Sequence, residues 1–141
     1  MRFRITSELG NVRLVRERVR VVCADLGIPP VRLDGMETAV AEAAMNAIEH
    51  GNGHDASLLV EVRAWVAGHD LVVRVAHEGT AGGPPSAPAV PELEAKLRSE
   101  QPARGWGLFL MRELVDRVQV SRRDGRDGVE LVLRLDDRGS P

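Results

Sequence analysis

The chain has 141 residues, 43% of them hydrophobic and 28% charged, which suits one soluble domain whose core needs neither disulfide nor metal. Aromatics make up only 3% and tyrosine is absent, so Val, Leu and Ala must build the core, and a single-strand binder that stacks bases is disfavoured. A net charge of −2 supplies no global field for nucleic acid or an anionic membrane.

Arginines cluster at Arg13, Arg16, Arg18 and Arg20 and again at Arg122, Arg123 and Arg126; such clusters usually form solvated faces, though they could dock an acidic partner. Cys23 stands alone in an apolar helical pattern and reads as a packed thiol. No apolar run approaches the roughly 20 residues that span a bilayer, and Met1 to Ile5 leads into polar sequence, so the expectation is a cytoplasmic protein.

Arg2 to Ile5 alternates and predicts a short strand. Val12, Val15, Val19, Val22 and Leu26 recur at threes and fours and predict a helix, stopped by Gly27 before Pro29 and Pro30. Pro30 opens a second helix running to about His50, with Met36, Val40, Ala43 and Ala47 as its core stripe and Gly51 and Gly53 as its end. In Ser57 to Val66, the residues Leu58, Val60, Val62, Ala64 and Val66 share one strand face. Gly68 and Asp70 turn the chain back into Leu71 to Ala76.

From His77 to about Gly105 the composition shifts to Gly and Pro, with a short helix expected over Pro91 to Arg98; a loop this long suggests a lid over about 78–104. Gly105 to Val115 is helical, with Leu108, Met111, Leu114 and Val115 inward. Val118 to Ser121 and Val129 to Leu135 make a closing hairpin around the turn residues Arg123 to Gly128. The order of elements predicts one domain over 1–141 of α+β class: a two-layer α/β sandwich, its mixed sheet mostly antiparallel and covered on one face by helices.

Two stretches carry chemistry. In Ala39 to Gly51, Glu42 and Asn46 stand one helical turn apart, and with Glu49 they lie roughly opposite the core stripe. An exposed polar face is the plain reading. Yet the helix is lined by Ala39, Ala41, Ala43, Ala44 and Ala47 and has no Lys or Arg from Met36 to His50, where a solvated face would mix both signs. An Asn carbonyl suits Mg²⁺, and a carboxylate one turn away can take a proton from a hydroxyl. In Ala103 to Met111, Gly105 and Gly107 stand at a helix start, where exposed amides can meet phosphate. His50, His54 and His77 make a metal site conceivable but disfavoured, because no cysteine accompanies them and Gly51 and Gly53 loosen the spacing. Trp65 reads as a sheet-face residue.

Together, the Glu-x-x-x-Asn helix ending in Glu-His-Gly, a strand entering a Gly-containing loop, and Gly-Trp-Gly-Leu-Phe-Leu-Met opening a helix resemble the gyrase/Hsp90/histidine-kinase/MutL (Bergerat-fold) ATP-binding superfamily. The stretches NAIEHG and GLFLMRELVD are similar to the anti-sigma-factor serine/threonine kinases. The resemblance implies ATP and Mg²⁺ as ligands, Asn46 as the Mg²⁺ residue, and Glu42 as the base that activates a hydroxyl on an anti-anti-sigma partner. It implies further that Gly105, Gly107 and neighbouring amides, with Trp106 and Leu108 beside them, would meet the nucleotide, with Arg104 adding charge. Residues 79–102 would close over it. A sigma factor and a homodimer are the further partners implied; nucleic acid and membrane are not. Where the family has Asp-x-Gly-x-Gly to receive the adenine amine, this chain reads His77-Glu78-Gly79-Thr80-Ala81, so His77 takes the Asp place and Gly79 is kept. That departure supports the alternative of a non-catalytic module of the same fold, which sequesters a partner with weak or no nucleotide binding.

Overall fold

The computed structural model describes residues 1–79 and 103–135, with side chains from Gly107 onward in the second stretch. The expected lid and the helix at Pro91 to Arg98 lie outside the described residues. Strand β1 (Arg2–Thr6) leads through a short 3₁₀ turn, Leu9–Asn11, into α1 (Val12–Asp25) and α2 (Pro30–Asn46). A π-helical turn, Ala47–Gly51, follows; then come β2 (Leu59–Ala67), β3 (Asp70–His77), α3 (Ala103–Leu114), β4 (Arg117–Arg123) and β5 (Arg126–Arg134). The strands form one sheet in the order β1-β2-β3-β5-β4, and every described pairing is antiparallel rather than mixed.

Alternation decides which face the helices cover. Ile5, Val60, Val62, Leu71, Val73, Val75, Val129, Leu131 and Leu133 turn inward against Val15, Val19, Met36, Val40, Ala43, Leu108 and Met111. Each large side chain fully buried there contributes about 1.5–3 kcal/mol relative to exposure. The opposite face carries charge instead: Arg74 lies across the sheet, donating to Ser121 Oγ (2.8 Å) and to the Arg126 carbonyl (3.1 Å).

Several expectations shift in detail. On α1 the fourth inward position belongs to Cys23, fully buried with its thiol pushed up to about 11 by desolvation, while Leu26 is exposed just past the helix end. Val66, expected on the inward face of β2, is exposed near the end of that strand. Only Asp124 and Gly125 turn the last hairpin, both at positive φ as a tight Asp-Gly turn requires. Asp127 and Gly128, expected in the turn, are therefore buried strand residues of β5.

α2 and α3 run antiparallel, and a glycine on each sets their spacing. A Cβ on Gly35 would come within 2.8 Å of the Leu114 carbonyl oxygen. At the other end, a Cβ on Gly107 would come within 2.6 Å of Glu42 Oε2 and 2.8 Å of Asn46 Nδ2.

Candidate functional site

The close helix contact brings the two chemically suggestive stretches together. Glu42 and Asn46, expected to lie opposite the core stripe, are half-buried rather than fully solvated because α3 covers that side of α2 with a residue that has no side chain. Asn46 also lines a pocket with Ala43, Ala47, Gly51, Val75, His77, Leu108, Gly128 and Val129, about 340 Å³ of open space with its mouth included. The walls are mostly small and apolar, and Asn46 and His77 supply the polar side chains among them.

Burial gives Glu42 an unusual carboxyl. Desolvation holds its pKa above the ordinary value and the Glu49 carboxylate adds to this, while His50 opposes both. No described cation lies within ion-pair distance of it. A carboxylate so placed is a stronger base than a solvated one and remains available to accept a proton.

The end of α2 departs from the regular helix expected as far as His50. The Asn52 amide donates to the Ala47 carbonyl at 2.8 Å, closing a wide π turn that carries Glu49 and His50 and drops Gly51 beneath the β3 end. His77 is 4% exposed, and its ring packs so closely on Gly51 that a Cβ there would come within 2.4 Å. His77 Nδ1 lies 2.7 Å from the Gly79 carbonyl; since a carbonyl can only accept, Nδ1 carries the proton. Glu78 points to the other side of the strand, as alternation dictates. It accepts from the Leu59 amide at 2.8 Å and faces Arg126 at 3.6 Å.

Of the residues singled out in the sequence, Glu42, Asn46 and Gly107 meet directly, and Asn46, His77 and Leu108 share the pocket. Gly79 sits beside Gly51 and Asn52. Arg104, Gly105 and Trp106 lie in the first turn of α3, described for their backbone alone. Among the described residues no three His, Cys, Asp or Glu gather as a metal site.

Other residues were not legible in advance. Asp127 pairs with His77 across β3 and β5 and is held by Arg122, whose Nε and Nη2 donate to its two oxygens at 2.9 and 3.1 Å. Reading Asp124-Gly125 as a two-residue hairpin turn would have put Asp127 into the strand and opposite that ring. Asn52 carried no signal beyond being a polar residue after a helix.

The family model of the histidine kinase-like ATPase domain matches residues 5–135. The chain belongs to that family. Among its relatives, the serine-protein kinase RsbW of Bacillus subtilis (strain 168) is 28% identical over 127 residues, covering 86% of this chain and 78% of the relative. The anti-sigma F factor of Thermoanaerobacter sp. (strain X514) is 24% identical over 126 residues, covering 89% of this chain and 86% of its own. These relatives support the resemblance to the anti-sigma serine kinases within the wider ATPase superfamily. The fold is similar to part of the structure of the RsbU and RsbW domains of Rv1364c from Mycobacterium tuberculosis, with a TM-score of 0.64, 21% identity and 95% of this chain covered. This chain spans 31% of that longer one. The histidine kinase domain from Erythrobacter litoralis EL346 superposes more loosely, with a TM-score of 0.51 at 22% identity over 76% of this chain. No helix among the described residues is long and apolar enough to cross a membrane.

Proposed function

We propose that this domain is an ATP-dependent serine/threonine protein kinase that acts as an anti-sigma regulatory factor and phosphorylates an anti-anti-sigma protein. The observation that carries the reading is the meeting of Glu42, Asn46 and Gly107: a half-buried base and an amide pressed against a glycine-bearing helix turn. In this reading, Glu42 Oε2 takes the proton from the attacking seryl or threonyl hydroxyl. Asn46 offers a neutral oxygen donor, which together with phosphate oxygens and water would suit a hard cation such as Mg²⁺. The pocket walls Ala43, Ala47, Val75, Leu108 and Val129 hold the base and exclude water. The backbone around Gly105 and Gly107 approaches the phosphates with Arg104 beside them, Trp106 packs by the nucleotide, and Gly79 stands with His77 at the base end. ATP supplies the phosphoryl group, and Mg²⁺ supplies charge stabilisation for its transfer.

The names of the relatives support an anti-sigma kinase role, and from them we extend the partners to an anti-anti-sigma substrate, a sigma factor and a second copy of the chain. The histidine at position 77, in place of the family's acid, favours the second reading, a partner-sequestering module with little nucleotide affinity. Calorimetric titration with Mg-ATP separates the two. Binding that persists in Glu42→Ala while phosphate transfer to a seryl partner disappears supports the kinase, and no heat at millimolar nucleotide leaves the module.

A further inference from the structure

Asn52 is 2% exposed and has every hydrogen-bonding group of its side chain engaged. Nδ2 donates to Ser7 Oγ at 2.8 Å and to the Leu59 carbonyl at 3.1 Å, and Oδ1 accepts from the Gly79 amide at 2.6 Å. Its backbone amide closes the π turn on Ala47, and Ser7 in turn donates to the Leu58 carbonyl at 2.6 Å. One side chain thus ties the end of α2, the exit of β1 and the start of β2 to the residue that follows the pocket histidine by two. The Gly79 carbonyl accepts a hydrogen bond from His77 Nδ1 at 2.7 Å. Gly79 has no room to move inward: a Cβ there would come within 2.7 Å of the Gly51 carbonyl oxygen and 2.8 Å of Asn52 Oδ1.

We infer that Asn52 is a positioning residue for base recognition: it fixes Gly79, and through Gly79 the His77 ring, at the pocket wall, while the phosphate end at Glu42, Asn46 and Gly107 is set independently by the packing of α2 on α3. This rests on the nucleotide reading above and adds to it a division of labour between the two ends. The energetic argument is an asymmetry. A buried amide with three satisfied bonds contributes modestly as a whole, but removing it strands the Gly79 amide and two carbonyl or hydroxyl partners in the interior. Loss of that anchor frees Gly79, whose carbonyl meets His77 Nδ1 at the end of β3, without touching the α2–α3 contact.

The test uses the full chain and three probes with Mg²⁺: ATP, GTP and inorganic triphosphate. Asn52→Ala is expected to weaken ATP about tenfold, the size of one lost buried hydrogen bond, and to erase most of the preference for ATP over GTP. Triphosphate affinity should stay within about twofold. Ser7→Ala removes a bond from the same cluster and lowers stability, yet should keep the ATP preference, because Gly79 remains anchored. Asn52→Asp, which keeps an acceptor for the Gly79 amide, should also keep it and guards against misfolding of the alanine variant. Should the wild type bind ATP while Asn52→Ala retains its full preference, or should Ser7→Ala lose it equally, the positioning role is overturned and the kinase reading survives. A wild type that binds none of the three probes overturns both.

Discussion

The two halves of α2 solve different problems with the same kinds of side chain. Near its start, the acids are neutralised. Glu37 faces Arg20 at 2.6 Å and Arg16 at 3.3 Å, Asp34 faces Arg20 at 3.3 Å, and the neighbouring Arg32 reaches Asp116 at 2.6 Å. Barely more than a turn further on, Glu42 is half-buried beside Glu49 with no described cation in ion-pair range, and its carboxyl is held above its ordinary pKa. The first half behaves as scaffold, where charge is cancelled. The second keeps a half-buried acid with no described ion pair next to glycine, the kind of perturbed group that clusters at functional sites.

The largest effect expected from this contrast is in Glu42→Ala. Phosphoryl transfer to a seryl partner should fall about 10²–10⁴-fold, the range of a lost general base, with nucleotide affinity nearly unchanged. Glu37→Ala should leave transfer alone. An equal loss in both variants, followed by radiolabel transfer, would erase the distinction between the halves.

Gly107→Ala comes next. The atoms its Cβ would strike are the ends of the Glu42 and Asn46 side chains, which can swing away, so the fold should survive while the site is displaced. Transfer should drop about 10²-fold, as misplacement by an ångström typically costs, with the thermal midpoint little changed. A large fall in midpoint with activity intact would reverse this assignment.

The raised pKa of Glu42 has two consequences of opposite benefit. In the proposed role of base it must be ionised, so the acid limb of the transfer rate should be shifted up from the ordinary glutamate value and move to lower pH in Glu49→Gln, which removes a repelling charge. For stability the sign is reversed. The folded protein binds the proton more tightly than the unfolded chain, so stability falls as pH rises from the ordinary value through the raised one. Glu42→Gln should therefore be more stable than the wild type at neutral pH, read as a higher midpoint in thermal melts.

Glu37→Ala should cost about 1 kcal/mol in denaturant unfolding, since its carboxylate serves two arginines across the α1–α2 contact and is only 16% exposed. Smallest of all is Arg13→Ala, whose partner Glu17 lies 3.8 Å away with both side chains in solvent; at most ~0.5 kcal/mol is expected, vanishing at high salt.

Most of the fold could be read from local pattern because period and punctuation are local properties. The valine stripe of α1, Pro30 at the start of α2, the Gly68 turn and the alternation in β2 and β3 each follow from residues within a few positions of one another. Glu42 and Asn46 were visible for the same reason, as an acid and an amide one turn apart on an alanine-rich helix. The π turn was not, because whether a helix end takes a fifth residue depends on what accepts Gly51 and Asn52 from across the fold. Nor was Asp127, whose place depends on whether the hairpin turns on two residues or on six.

Sequence alone thus determined the elements, their order and the chemical character of the helix that carries Glu42. Only the tertiary structure decided that Gly107 presses against that acid, that His77 rests on Gly51, and that Asn52 bridges 45 residues back to Ser7 and 27 forward to Gly79. Contacts of that range are set by the packing of α2 on α3 and on the sheet, and each needs two distant stretches to be right at once.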